Sequence, residues 1–275
     1  MLSRQFWTIL ISSLLFTSVM SAQCVTFQGL TEIGNLPLSI NAVVNSSFEL
    51  SPPGQRAQGT FTQDNNWGFF TFNNGGGTIF VEAFPNPGSF CGSDPANQVR
   101  PRTGNNCIKM FGGFTGGVNG GGAFSDRISV AGGQNYVGGM YALSPSPAGG
   151  CPQDALTGTN EAVISVEFFD ANNNCMNVVS GRFTSADATG EWIRYEAYAQ
   201  APPDATEALI NIIFIQQANF DGGAVYFDDA FFHQVQTPTA PTMGEWGIMI
   251  LGLLILIIGI VAIKQTSFSL TKTAA

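Results

Sequence analysis

The chain has a single histidine, which limits the catalytic chemistry open to it. His233 lies near the C-terminal end of the main domain, so a Ser-His-Asp or Cys-His nucleophile and a multi-histidine metal site are implausible. Carboxylates such as Glu167 and Asp170 are of the type that hydrolyses glycosides, but their spacing is not diagnostic. The sequence therefore predicts a protein without catalytic residues.

A second set of polar side chains begins like a calcium-binding loop. Asp170, Asn172 and Asn174 have the alternate spacing of such a loop. The sixth position, which requires glycine, holds Cys175, and the twelfth, which requires glutamate, holds Gly181. The pattern therefore predicts a turn between two strands.

The N-terminus has the pattern of a secretory signal peptide. Arg4 is the only charge before an apolar region from Phe6 to Val19, and the small residues Ser21 and Ala22 follow it. We expect residues 1–22 to be removed after Ala22, which places the rest of the chain outside the cytoplasm. A lipoprotein alternative at Cys24 is disfavoured because Gln23 stands where a small residue is needed.

The C-terminus predicts a membrane anchor. Residues 246–263 carry no charge, and their number falls within the roughly 17–25 residues that a membrane span requires. Lys264 and Lys272 follow this segment, which favours a basic tail on the cytoplasmic side. Residues 237–241 precede it as a short, stiff linker.

The residues around the start of this segment resemble a known bacterial tag. The motif of the IPTL-CTERM sorting domain is matched here by Pro241, Thr242, Glu245, Trp246 and Gly247, with departures at Ala240 and Met243. The resemblance covers residues 242–275 together with the preceding proline. It implies presentation at the cell envelope and processing by an exosortase-type protease.

The overall charge of the chain argues against polyanionic partners. The chain has 19 Asp and Glu against 10 Lys and Arg, for a formal net charge of −9. An acidic, charge-poor protein is a poor match for nucleic acid or for anionic lipid headgroups. We therefore expect no nucleic-acid partner.

Cysteines in an exported chain are free to form disulfides. Nearest-neighbour pairing predicts Cys91–Cys107 and Cys151–Cys175, with Cys24 left over, although sequence alone does not choose among the possible pairings. The chain has no Cys-x-x-Cys motif, so zinc or redox chemistry is improbable.

Residues 23–236 have the composition of one all-β domain. The chain contains 33 glycines and 14 prolines, and it shows hardly any helical periodicity. Apolar alternation predicts strands over Ala162–Phe168, Trp192–Tyr198 and Ala224–Phe232, and an apolar run over Leu209–Ile215 predicts a central strand. The glycine-rich stretch Gly112–Gly122 is interpreted as a flexible loop. Short strands separated by turns favour a single jelly-roll β-sandwich.

Three segments of this domain, in this order, resemble the galactose-binding-like jelly roll, including carbohydrate-binding modules of the family 4/9 type. They are Asn45–Glu49 followed by Trp67, then Trp192–Tyr195 leading to Ala201–Ala205, and finally Gly223–Ala230. The resemblance spans residues 45–232, interrupted by a Gly- and Cys-rich insertion around residues 85–106. It implies a non-catalytic module for a polysaccharide or surface glycan.

The same resemblance implies a structural calcium ion between the first and last strands, held by Asn45, Glu49, Asp228 and Asp229. Strand alternation places one of the paired aspartates on the core side, where an unpartnered carboxylate is costly. Arginine or backbone amides are the alternative partners.

Aromatic side chains are the candidates for sugar contact, because an aromatic face can cover the apolar face of a sugar ring. The residues that we select for this role are Trp67, Tyr141, Trp192 and Tyr198. Carbohydrate binding is the favoured hypothesis. The alternatives are a structural or adhesive surface protein, such as a biofilm-matrix component, without a small ligand, and a glycoside hydrolase.

Overall fold

A computed structural model describes residues 39–57, 61–72, 77–114, 117–217, 221–236, 247–258 and 260. The predicted signal peptide, the linker, the motif residues Pro241, Thr242, Glu245 and Trp246, and both C-terminal lysines lie outside the described residues, as does Cys24. The chain divides into two compact units, Met1–Gln236 and Thr237–Ala275.

The first unit is a sandwich of two antiparallel sheets. The six-stranded sheet has the spatial order β1 (Gly54–Ala57), β4 (Thr78–Ala83), β5 (Asn106–Phe111), β13 (Ala224–Gln234), β8 (Asn135–Leu143) and β11 (Ile193–Gln200). The seven-stranded sheet has the order β10 (Cys175–Thr184), β9 (Glu161–Asp170), β12 (Ala205–Gln216), β6 (Asn119–Ser125), β3 (Trp67–Phe72) and β2 (Thr62–Asp64), with β7 (Ile128–Ser129) paired to β12. Successive strands repeatedly cross between the sheets, as in a jelly roll.

Alternating apolar residues explain how the two sheets pack. On β9, the side chains of Ala162, Ile164, Val166 and Phe168 all lie in the core, as the sequence predicts. Strand β12 lies between β9 and β6, which confirms its predicted central position. The predicted strands in β11 and β13 are also confirmed. The side chains of alternate residues from both sheets interdigitate to fill the space between them.

The interpretation of Gly112–Gly122 as a loop is wrong for its second half. Residues Asn119–Ser125 form β6, which pairs with both β3 and β12. A Cβ atom on Gly122 would lie 2.5 Å from the ring of Phe70 and 2.6 Å from the carbonyl oxygen of Ile212. Glycine is therefore present because a neighbouring ring and backbone approach closely.

The disulfide prediction is also wrong. Cys91 is bonded to Cys151 across a sequence separation of 60 residues, with 4.9 Å between their Cα atoms. Cys175 is disulfide-bonded too, whereas Cys107 is free and buried on β5. The insertion carrying Cys91 folds over the outer face of the six-stranded sheet, so its spatial neighbour is the connection after β8. Proximity along the chain was a poor guide to this contact.

In the second unit, residues 247–258 form a helix, α1. Among the residues that the structure describes, no helix reaches the length and apolarity required to cross a membrane.

Candidate functional site

Trp67 belongs to the core, so its prediction as a ligand contact is wrong. Its side chain is fully buried, and its indole N–H donates to the carbonyl oxygen of Asn45 at 3.1 Å. Its ring packs against Phe48 with 4.8 Å between centroids. Trp67 is the first residue of β3, and its side chain lies on the inner face of the sheet, where no sugar can reach it.

The other three predicted rings are half-buried on the outer side of the six-stranded sheet. Tyr141 and Tyr198 pack against the same small apolar cluster, while Trp192 packs against a different one. The guanidinium of Arg102 lies 3.6 Å from the centroid of the Tyr141 ring and covers one face of it. The hydroxyl of Tyr198 donates to Glu196 at 2.7 Å. The structure thus brings two of the three together; their binding role stays a prediction.

Three of the four predicted calcium ligands, Glu49, Asp228 and Asp229, contact the loop 102–106, whereas Asn45 has other partners. Glu49 accepts hydrogen bonds from the backbone N–H groups of Asn105 and Asn106, at 2.9 and 2.7 Å. The amide oxygen of Asn45 accepts the N–H of Leu50, and its nitrogen donates to Ser51 and Asn65. Oε1 of Glu49 and the amide oxygen of Asn45 therefore already accept backbone N–H groups.

The paired aspartates, Asp228 and Asp229, also accept hydrogen bonds from the loop 102–106. Asp228 is fully buried and accepts the backbone N–H groups of Arg102, Thr103 and Asp229, at 2.7–3.1 Å. Asp229 binds the guanidinium of Arg102 at 2.5 Å and the hydroxyl of Thr103 at 2.6 Å. Burial, reinforced by the charge of Asp229, raises the pKa of Asp228 to about 7.

These contacts do not fit a calcium ion, which needs six to eight oxygen ligands. The carboxylates instead accept hydrogen bonds from backbone N–H donors and from the guanidinium of Arg102. One group of three potential ligand atoms within 4.8 Å occurs in the described part of the chain, comprising Cys91, Cys151 and Asp154, and the two cysteines are bonded to each other. The amide and arginine alternative therefore accounts for the arrangement around Asp228 and Asp229.

The possible glycosidase carboxylates have structural partners as well. Glu167 lies on the outer face of β9 and accepts a hydrogen bond from Asn211 at 2.8 Å, and burial raises the pKa of its carboxyl. Asp170 accepts the backbone N–H groups of Asn172 and Asn174, which confirms the predicted turn. His233 is half-buried, with Nδ1 2.8 Å from the carbonyl oxygen of Ser39.

A cleft that the sequence did not reveal lies on the outer face of the six-stranded sheet. Its volume is about 520 Å³, and it runs from the β1 edge across β4 to the insertion. Phe80 and Phe111 point outward from β4 and β5, with their rings 8° from parallel and 6.1 Å between centroids. Phe90, from the insertion, stands edge-on to Phe111 at 6.2 Å and is 68% exposed.

Polar groups lie beside these rings. Glu82 and Asn86 line the cleft, and their side chains are hydrogen-bonded to each other. A smaller recess of about 140 Å³ also involves Phe90 and Phe111 and reaches Gln153 and Asp154. The cleft therefore combines three phenyl rings with amide and carboxylate groups at its rim and floor.

Strand alternation could have predicted part of this cleft, although the sequence-based candidates did not include it. Ile79 and Val81 alternate with Phe80 and Glu82 along β4, so a period-2 reading places Phe80 and Glu82 on the outer face. The same reading applies to Phe111 on β5. Phe90 could not be found this way, because its position depends on the fold of the insertion and on the Cys91–Cys151 bond.

Comparison with known proteins gives resemblances of low similarity. No protein-family model and no curated protein matches the chain. The enzymatically active domain of tailspike protein 4 from bacteriophage CBA120 has a TM-score of 0.46 at 13% identity, covering 71% of this chain and 22% of the tailspike chain.

Two carbohydrate-binding modules match along nearly their whole length. TmCBM61, solved in complex with β-1,4-galactotriose, has a TM-score of 0.40 at 13% identity, with 71% of this chain and 99% of that chain covered. The C-terminal family 22 carbohydrate-binding module of Clostridium thermocellum Xyn10B has a TM-score of 0.36 at 11% identity, with 73% and 99% covered. Similarity at this level does not assign the chain to a family, a ligand or an activity.

Proposed function

We propose that the cleft formed by Phe80, Phe90 and Phe111 binds a neutral polysaccharide, without catalysis. The observation that supports this most directly is an exposed ring, Phe90, that stands edge-on to one of two nearly parallel rings on the sheet. Sugar rings present apolar C–H faces that pack on aromatic faces. A cleft of about 520 Å³ has the size of a small-ligand site and accommodates a few sugar units.

The polar groups suit hydroxyl-rich ligands. Glu82 and Asn86 offer acceptors and donors at the floor and rim of the cleft, and such groups fix the orientation of a ligand that the rings hold. The net charge of −9 disfavours polyanions, because like charges repel at the encounter. A neutral glycan is therefore the class of ligand that best fits the site.

We propose further that the protein acts outside the cytoplasm, held at the membrane through its C-terminal segment. The apolar region Phe6–Val19 and the uncharged segment 246–263 are the sequence features that support this proposal. Cleavage by an exosortase-type enzyme would release the domain from that anchor and is part of the same proposal.

Affinity electrophoresis of the full chain in mild detergent tests the binding proposal. We expect at least one neutral polysaccharide in the gel to retard the wild-type protein. Phe90→Ala should lose this retardation while keeping its fold, because the ring is exposed. Phe61→Ala is a matched control, since Phe61 is 60% exposed but lies next to the seven-stranded sheet, stacked on Phe124.

Retardation that survives in Phe90→Ala would move the site away from the cleft. If a folded wild-type chain is not retarded by any polymer in the panel, the glycan proposal fails, and a structural or adhesive surface protein becomes the better account.

A further inference from the structure

A buried lysine lies beneath the cleft in contact with two carboxylates. The side chain of Lys109, on β5, is 1% exposed. Its Nζ lies 2.6 Å from Oδ2 of Asp154 and 3.7 Å from Oε1 of Glu82. Asp154 ends the short 3-10 helix Pro152–Asp154, and Glu82 lies on β4, the neighbour of β5 in the sheet. Three separate elements thus bring an amine and two carboxyl groups together.

Aromatic rings surround the amine of this triad. The rings of Phe90, Phe111 and Tyr226 lie 5.1–5.6 Å from Nζ of Lys109. The hydroxyl of Tyr226 donates to Oδ2 of Asp154 at 2.5 Å. The Cys91–Cys151 bond ties down the chain on the N-terminal side of Asp154. The side chains of Lys109 and Asp154 are therefore buried and held in contact.

We propose that Lys109 and Asp154 join in an intramolecular amide bond, an isopeptide cross-link, with Glu82 moving the proton. Polysaccharide binding at the cleft does not require this bond, so each of the two proposals can fail without the other.

The step balances without any other reagent. Transfer of a proton from the ammonium of Lys109 to the carboxylate of Asp154 yields a neutral amine and a neutral acid. Nζ then attacks Cγ of Asp154, forming the N–C bond. The C–O bond breaks, and the hydroxyl leaves as water with a proton from Glu82, which regains one from the nitrogen.

Glu82 and Tyr226 both assist the formation of the amide bond. Burial raises the pKa of Glu82, against the lowering effect of Lys109, and a protonated Glu82 can serve as the acid. The Tyr226 hydroxyl withdraws electron density from the carboxyl group of Asp154 and so makes Cγ more electrophilic. Fixed proximity replaces an encounter in solution, and this effect alone accelerates such reactions by many orders of magnitude.

Intact-mass spectrometry of the purified full chain, reduced and alkylated, tests the proposal. With its N-terminus identified, the wild-type protein should be lighter than its calculated mass by one water, about 18 Da. Lys109→Arg keeps the positive charge but should show the full mass, and so should Glu82→Gln. Glu161→Gln is the control, because it alters an ion pair with Arg182 elsewhere in the sandwich and should keep the deficit.

Tryptic digestion locates the bond. Cross-linked chain should give peptide 103–127, uncut at Lys109, joined to peptide 128–182. A folded wild-type chain of full mass would overturn the proposal and leave an ion pair. A deficit of one water that persists in Lys109→Arg would also overturn it, because dehydration would then have occurred at another site.

Discussion

Asp228 shows how one residue resolves the conflict between strand alternation and charge. It lies in β13 at a register shift between Asp228 and Phe231, and Asp229 has a φ of 49°. This irregularity lets both carboxylates reach the loop 102–106 instead of sending one into the apolar core. The sequence predicts that the pair needs a partner; its identity depends on a loop more than 120 positions earlier in the chain.

The raised pKa of Asp228 has a consequence for stability. Its folded pKa of about 7 exceeds the value of ~3.9 in an unfolded chain, so the unfolded state loses the proton first as pH rises. The contribution of this residue to the free energy of unfolding is full below about pH 4 and falls as pH rises to about 7, by about 4 kcal/mol at most. Asp228→Asn should remove this loss. Urea unfolding of both proteins between pH 4 and pH 8 measures it, and parallel pH profiles would contradict the assignment.

The contribution of Trp67 to the stability of the core can also be tested with a single substitution. A fully buried tryptophan that packs on Phe48 contributes to stability, and its replacement leaves a cavity. Trp67→Ala should lower the free energy of unfolding by about 3–5 kcal/mol. Trp192→Ala, at a half-buried ring outside the main core, should cost clearly less. Equal, small losses in denaturant titrations would show that Trp67 is a surface ring after all.

At the scale of elements, alternation predicted the strands well and the connections poorly. In β9 and β11 the side chains follow a period of two, so the sequence predicts their inner faces directly. Strand β6 contains three consecutive glycines, which have no side chains to alternate. The insertion between β4 and β5 offers no periodicity at all. Its position depends on long-range contacts, such as the indole N–H of Trp192 donating to the carbonyl oxygen of Arg100 at 3.1 Å. For this reason Phe90 and the disulfide partner of Cys91 were not predictable.

The Cys91–Cys151 bond should stabilise this insertion and the cleft together. It closes a loop of about 60 residues, and a disulfide of this kind contributes typically 2–4 kcal/mol. The double variant Cys91→Ala with Cys151→Ala should lose that amount in chemical unfolding. It should also bind polysaccharide more weakly, because Phe90 adjoins Cys91. Unchanged affinity with lowered stability would separate the disulfide from the site.

At the scale of the whole molecule, the sandwich should not depend on calcium. Amide donors and Arg102 bind the carboxylates around the loop 102–106, so removal of divalent cations leaves these contacts intact. We expect the same Tm in excess chelator and in excess calcium, measured by calorimetry at constant ionic strength. A clear increase of Tm in calcium, absent in magnesium, would restore the ion that the sequence predicts.

The cleft on the outer face of the six-stranded sheet is the proposed site of glycan binding. Hydrogen–deuterium exchange of the full chain, with and without an oligosaccharide of the polymer that retards it, tests this most directly. We expect slower exchange in the segments 78–92 and 106–111, which carry Phe80, Phe90 and Phe111. Protection confined to the seven-stranded sheet, or to the strands of Tyr141 and Tyr198, would contradict it.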